Sequence, residues 1–544
     1  MTDAALAAPP RPALLDRLEA ERFDCVVVGG GITGAGVARE AALRGLRVAL
    51  LEAADFAAGT SSRSSKLIHG GLRYLAMGDV ATVRATARER RVVRGLAPHL
   101  AEPRWMLVPA RSRAGLLKLR AALATYEKLG GVDEADRHRT WSGAALARAE
   151  PLLDRAAHPH ACAYREYLTD DARLVLATLR AAVAAGALAS SYAPVCRIEG
   201  RGRARYEIEA ECAETGRRIR VRTRGVLNAA GPWVDPVRAL EDAGAAPLLH
   251  LSKGVHVALL RERLPLHHVA VLNAADRRSI FAVPRGAVVY LGTTDTSYAK
   301  GHDLWPAVER VDVEYLLEPL SRYFEGDPPT PEDVVAAWAG LRPLLAEEGK
   351  ASTELSRRDE IRVGPRGVVH VAGGKLTGFL PMARRAVEHL AREVGLTLGP
   401  PPEPGPALAG GDFDGDLEAL AAGLAGSTGI SHPCAERLVR LYGSEAAAVV
   451  ARGPEPLDPE GRVLAGEVDW AVEVEGGLRL EDVIYRRLRT ALYEPGAREA
   501  LLEPAARRVG AALGWDAERR EREIEATRRR LAADLAFRSG GAHP

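Results

Sequence analysis

The stretch FDCVVVGGGITGAGVAREAALRGLRVALLEA, residues 23–53, permits few folds. An apolar run ending in Val26, Val27 and Val28 enters a glycine turn. An Ala-rich amphipathic pattern follows to about Gly45, and then a second apolar run. Apolar runs without alternation read as strands buried on both faces, and the segment between them as the crossover helix of a βαβ unit. Gly29, Gly31 and Gly34 have Gly-x-Gly-x-x-Gly spacing. The first can make the turn, the second lets backbone approach a pyrophosphate, and the third brings helix against strand. Phosphate would rest on the helix N–H groups, and Glu52, ending the next strand, would accept hydrogen bonds from a ribose.

At 544 residues the chain calls for about two or three domains. With 47% hydrophobic and 27% charged residues and a net charge of +2, it is globular, and neither disorder nor a nucleic-acid-coating role is indicated. Only seven of the 74 basic residues are Lys, so a single surface Arg carries little information. The five cysteines, Cys25, Cys162, Cys196, Cys212 and Cys434, form no C-x-x-C pair, which argues against a disulfide framework or a zinc site and for a reducing compartment. No metal is expected. The first residues have no charged segment leading into an apolar core, and nowhere does an apolar run reach the length of a membrane span.

A strand running into a small-residue turn recurs in VRTRGVLNAAGPW, and a strand, glycine turn and helix recur in GVVHVAGGKLTGFLPMARRAVEHLAREVG. Together with the βαβ unit these predict a nucleotide domain built from about 20–98, 170–240 and 340–397. The β-branched runs between them predict an antiparallel substrate domain from about 99–169 and 241–339. These make one region, 20–397, followed by a Pro- and Gly-rich linker over 398–415 and a helical domain over 416–544. The expected class is α/β, with a glutathione-reductase-like dinucleotide domain, an antiparallel-sheet domain and a helical C-terminal cap.

LNAAGPW and AGGKLTG resemble the second and third flavin-contact segments of the oxidoreductases typified by D-amino acid oxidase. Over nearly the whole chain the sequence resembles the FAD-dependent glycerol-3-phosphate dehydrogenases, through TSSRSSKLIHGGLRYL, YLTDDARLVLATL, NAAGPWV, LSKGVHV, YLGTTDT, AGLRPLL, AGGKLT and EVDWAVEVEGGLRLEDVIYRRLRT. The resemblance implies FAD as cofactor and oxidation of sn-glycerol 3-phosphate to dihydroxyacetone phosphate, with electrons passed to a membrane quinone.

Hydride loss from an alcohol carbon needs a base for the hydroxyl proton. His256 and His69 are the candidates, and the resemblance favours His256, with His69 a flavin-contact or packing residue. A phosphate dianion calls for Arg side chains. Arg73, Arg342 and Arg357 stand in matching segments, Tyr74 could donate to the same phosphate, and Thr294 and Asp295 could orient substrate hydroxyls. Flavin contacts are expected from Thr60, Ser61, Ser62, Ser65, Lys66, Leu67 and His69, from Ala230, Gly231 and Trp233, and from Gly374, Lys375, Leu376 and Thr377. Lys375 would stabilise the negative charge of reduced flavin. Gly378, Phe379 and Leu380 depart from the family pattern, which has hydroxyls and a cation there.

Residues 111–130 set Leu116, Leu119, Leu123 and Tyr126 on one helical face among Arg111, Arg113, Lys118, Arg120 and Lys128. A basic amphipathic helix can lie in an anionic interface, so peripheral attachment to the cytoplasmic face of the cell membrane is expected. The Arg/Glu run near the C-terminus alternates in sign and reads as a solvated helix, not a nucleic-acid tract. The oligomeric state is open, a homodimer included. The rival readings are a glycerol-3-phosphate oxidase that delivers electrons to oxygen, and a non-redox FAD-binding interaction protein.

Overall fold

The structure, a computed structural model, describes residues 5–69, 80–200, 204–346 and 359–539. Two sheets carry the first four hundred or so residues, and helices carry the rest.

The first sheet has the strand order Asp359–Val363, Val369–Gly373, Arg218–Asn228, Arg22–Val28, Val48–Leu51, Leu188–Ser190, and the last four contacts in that row are parallel. Val26 and Val28 point to one face, among Leu14, Leu15 and Leu18 of the helix Arg11–Ala20. Cys25 and Val27 point to the other, among residues of the helices Ile32–Leu43, Asp171–Ala184 and Phe379–Val394. Coverage of both faces is why the run Val26–Val28 shows no polar alternation.

Among the described residues the second sheet is ten-stranded, with Thr296–Ser297, Leu249–Leu260, Val288–Gly292, Ser279–Arg285, Val269–Asn273, Glu102–Ala110, His160–Leu168 and Leu67–Ile68 in order. Val334–Leu345 pairs antiparallel with Leu249–Leu260. Two short pieces therefore fall on the other side of the expected domain divisions: Leu67–Ile68 and the end of Val334–Leu345 belong to the second sheet.

The Pro- and Gly-rich stretch is laid down on the body. Gly399 N–H donates to Arg44 O (2.9 Å), Leu408 N–H donates to Leu96 O (2.9 Å) and Leu408 is buried. Beyond it, the helices from Leu417–Thr428 to Ala517–Ala533 form the expected helical cap.

In the helix Arg113–Gly130 the apolar stripe is not free. Leu123 and Tyr126 are fully buried, and Leu116 and Leu119 pack with them against the second sheet. The apolar stripe is therefore spent on the protein's own core. Leu117 (61% exposed) and the cations Arg113, Lys118, Arg120 and Lys128 are what the helix presents outward, with Arg111 exposed just ahead of it. Among the described residues no helix is long and apolar enough to cross a membrane.

Candidate active site

The carboxyl ends of the parallel strands converge on one rim, where open α/β sheets bind ligands. Gly29 has φ +108° and packs so close to Ala229 and Ala230 that a Cβ would lie 2.7 Å from Ala229 O. A Cβ on Gly34 would overlap Gly29 O, so the helix can start this close to the turn only as glycine. Gly31 is different: a Cβ there would meet only Ser61, with Oγ 3.2 Å away. Its bareness leaves the backbone open to the close approach of a pyrophosphate. Ser61 Oγ accepts from Ile32 N–H (3.0 Å), and so ties the 60–62 turn to the first turn of the helix. Glu52 accepts from Gly30 N–H (2.5 Å) and Ala54 N–H (2.8 Å). Burial raises its carboxyl above the usual range, against the pull of those two N–H groups.

Ala230, Gly231 (φ +57°) and Trp233 follow the strand Arg218–Asn228 at the same rim. Trp233 lies against Gly59 and donates Nε1–H to His302 O (2.9 Å). Gly374 (φ +88°), Lys375, Leu376 and Thr377 form the turn after Val369–Gly373, where Thr377 Oγ1 donates to His69 O (3.5 Å). His69 lies near Phe281, with ring centroids 6.3 Å apart. The departure from the family pattern also has a physical account: Phe379 is fully buried against Gly36, where it serves helix packing. A cradle of bare glycines and helix N–H groups, with a ribose-side carboxylate, fits FAD. Gly29, Gly31, Gly34, Glu52, Ser61, Ala230, Gly231, Gly374, Lys375 and Thr377 would hold it.

Other expected contacts turn inward. Lys66 is completely buried; its Nζ donates to Asp171 Oδ1 (3.0 Å), Asp171 Oδ2 (3.1 Å) and Ser62 O (2.8 Å). Burial pushes its ammonium down to about 7, against the attraction of Asp171. Such a side chain cannot touch a flavin; it anchors the loop from below. Ser62 is buried with its Oγ donating to Gly59 O (3.4 Å), and Leu67 pairs with Leu168 inside the second sheet. Thr60 Oγ1 donates to Leu341 O (2.6 Å) and so fastens the loop to the strand Val334–Leu345 of that sheet.

On that face, residues two apart share a side. His256, Gly254 and Ser252 lie opposite Trp338, Gly340 and Arg342. The Arg342 side chain fills the place a Cβ on Gly254 would take; its Nη2 donates to Thr293 Oγ1 (2.7 Å), and Nη1 lies 3.5 Å from Asp295 Oδ1. Asp295 also accepts from Ser252 Oγ. Thr294 is spent on the sheet: its Oγ1 accepts from Val255 N–H (3.0 Å). His256 is 1% exposed and stacks on Trp338 (5.2 Å, 7° between planes). Its Nε2 lies 2.9 Å from Ser65 Oγ. Burial drives the imidazole well below its ordinary pKa, with Lys66 and Arg342 adding to the effect. Arg73, Tyr74 and Arg357, expected at the phosphate, lie outside the described residues, as do Gly70 and Gly71.

Residue types alone did not single out a set of buried ion pairs behind the site. Arg486 and Arg487 both donate to Asp55, just after the Glu52 strand. Burial alone would raise Asp55, but the two guanidiniums hold it low. Arg489 donates Nε–H to Asp170 (3.0 Å) and Nη2–H to Asp171 (2.9 Å). The π-helical turn Val483–Arg487 sets Arg486 and Arg487 side by side. The signal available was the cluster of Arg in IYRRLR beside the doublet Asp170-Asp171.

Residues 24–384 match the FAD dependent oxidoreductase family, and residues 406–520 match the C-terminal domain of alpha-glycerophosphate oxidase. Fold and site thus define an FAD-dependent oxidoreductase. The aerobic glycerol-3-phosphate dehydrogenase of Staphylococcus aureus (strain USA300) is 37% identical over 453 residues, 81% of either chain. The structure of the glycerol-3-phosphate dehydrogenase from Bacillus halodurans complexed with FAD superimposes with a TM-score of 0.81 at 29% identity, covering 98% of this chain and 99% of that one. The L-alpha-glycerophosphate oxidase from Mycoplasma pneumoniae, with FAD bound, shares the fold (TM-score 0.54, 16% identity, 70% of this chain and 97% of that one). The chain belongs to the family of FAD-dependent glycerol-3-phosphate dehydrogenases and oxidases.

Proposed function

We propose that the protein oxidises sn-glycerol 3-phosphate to dihydroxyacetone phosphate and passes the electrons to a quinone. The observation that carries the substrate half is the Arg342 guanidinium, held by Thr293 and Asp295 on the sheet face that also bears His256. A fixed Arg fork suits a phosphate dianion, and a neutral imidazole suits an alcohol proton. Arg73, Tyr74 and Arg357 would complete the phosphate site. FAD, when bound, accepts the hydride from C2. The chain's own part is to grip the phosphate with Arg342, to keep a proton acceptor at His256 Nε2, and to set Lys375 at the flavin edge where reduction deposits negative charge.

Quinone as acceptor is supported by the dehydrogenase names of the relatives at 37% identity. The exposed cations of the helix Arg113–Gly130 support contact with an anionic inner membrane face through charge, since its apolar stripe is not free to insert. The match of residues 406–520 to an oxidase C-terminal domain favours oxygen as the second reading. Anaerobic mixing of the holoenzyme with glycerol 3-phosphate should bleach the flavin, and glycerol should not. Bleached enzyme should then regain colour faster with a soluble quinone than with oxygen, with little peroxide formed. Peroxide in step with turnover would favour the oxidase.

A further inference from the structure

We propose that Ser65 relays the proton of the substrate's C2 hydroxyl to His256, so that the base acts through a serine instead of meeting the substrate itself. The inference rests on the reading of His256 as the base and adds its route. His256 is 1% exposed, closed in by Trp338 on one side and Gly292 on another, where a Cβ would overlap the imidazole. A ring so enclosed offers no surface to a substrate. Ser65 is only half-buried, and its Oγ lies 2.9 Å from His256 Nε2. The hydroxyl therefore borders the ring on a residue that is not itself closed off, and the relay requires the substrate hydroxyl to meet it from that side.

The loop is built to hold that hydroxyl still. On one side, Ser64 donates its N–H (3.0 Å) and Oγ–H (2.8 Å) to Asp171 Oδ2. On the other, Lys66 Nζ donates to the same carboxylate, and Ser65 O accepts from Tyr290 Oη (3.0 Å). Neighbours fixed by a buried carboxylate leave Ser65 Oγ little freedom, which is what a relay requires. The cations facing the ring are Lys66 and Arg342, and Tyr290 presents an edge to it (6.4 Å). Burial, with the two cations adding to it, keeps the resting imidazole neutral.

The substrate O–H bond breaks and its proton binds Ser65 Oγ, while the Ser65 O–H bond breaks and that proton binds His256 Nε2. With FAD bound, the hydrogen on C2 would leave with its electron pair to that cofactor and the carbonyl would form; Ser65 ends as it began, and His256 becomes imidazolium. Nε2 must therefore carry a lone pair at rest, with the ring proton on Nδ1, an atom with no hydrogen-bond partner among the described residues.

The test uses FAD-loaded enzyme with Ser65→Ala, Ser65→Thr and His256→Gln. It combines stopped-flow bleaching by glycerol 3-phosphate with imidazole nitrogen NMR of the resting parent. Ser65→Ala should slow bleaching by about 100-fold or more with flavin content and substrate affinity retained. Ser65→Thr should restore most of the rate, and Ser65→Ala combined with His256→Gln should be little slower than either alone. The resting ring proton should be on Nδ1. A ring proton on Nε2, or parental bleaching in Ser65→Ala while His256→Gln is slow, overturns the relay and leaves the base standing. Parental bleaching in His256→Gln overturns the base and the relay with it.

Discussion

Arg489 and Asp171 join the cap to the site across 318 positions: Arg489 Nη2–H donates to Asp171 Oδ1 at 2.9 Å, and that carboxylate also takes the Lys66 ammonium. Neither end is exposed. A carboxylate taken out of water needs its cations, and loss of one partner from such a buried set costs about 3–5 kcal/mol. Arg489→Met should therefore lower unfolding stability by about that amount. It should also free the 60–66 loop, so flavin should leave at a lower urea concentration than in the parent. Flavin fluorescence and far-UV dichroism followed in the same titration check both. Unchanged flavin release would mean that the cap and the loop are not coupled through Asp171.

The glycine cradle makes two separable demands. Gly34 is crowded by Gly29 O, so Gly34→Ala forces a backbone shift of the kind that costs about 1–3 kcal/mol. Gly31 is less crowded, a Cβ there meeting Ser61 alone, with Oγ at 3.2 Å, close enough that Ser61 must give a little. Gly31→Val should destabilise the flavin-free protein less than Gly34→Ala does and yet bind FAD at least about 10-fold more weakly, because its side chain stands where pyrophosphate approaches. Gly34→Ala should lose in both measurements. Reconstitution of flavin-stripped protein, read by visible absorbance, together with thermal unfolding, distinguishes them.

The nucleotide half of the site is the half the sequence shows, because its demands are local. Val26–Val28, Gly29, Gly31, Gly34 and Glu52 lie within one βαβ unit, and each position has a steric or hydrogen-bonding reason visible from spacing alone. Lys66 reads as a flavin contact because its partner Asp171 lies 105 residues away. The pairing of Ser65 with His256 spans 191 residues and depends on a loop crossing the second sheet. The stripe Leu116, Leu119, Leu123 and Tyr126 announces an apolar face but not what covers it. Arg11–Ala20 shows the converse: Leu14, Leu15 and Leu18 after Pro10 gave a helical signal, yet the expected domain began after it.

Arg342 should reveal itself through specificity more than through rate. Its two nitrogens are divided between Thr293 and Asp295, a planar fork that a lysine ammonium cannot reproduce. Arg342→Lys should raise the KM for glycerol 3-phosphate by about 10–100-fold, the worth of a charged hydrogen bond or two, with kcat lowered less and flavin content unchanged. Steady-state kinetics on flavin-replete enzyme decide it. A fall confined to kcat would instead place Arg342 at the reacting carbon.

His256 gives stability a pH dependence whose sign follows from its burial. In the fold, burial first and then Lys66 and Arg342 hold the imidazole well below its ordinary value, whereas the unfolded chain titrates near about 6.5. As pH falls below that value the unfolded state takes up a proton the folded state refuses, so stability drops, by up to about 1.4 kcal/mol per pH unit. Above it the contribution is level. His256→Gln removes the titration and leaves other buried groups such as His99, held down to about 3 by burial and Arg173, in both proteins. Urea midpoints compared from about pH 5 to about pH 8 should show the parent losing stability on the acid side more steeply than the variant, and running parallel to it above neutrality. Parallel curves throughout would mean that the folded protein accepts the proton on His256, and that the ring is not held neutral between Lys66 and Arg342.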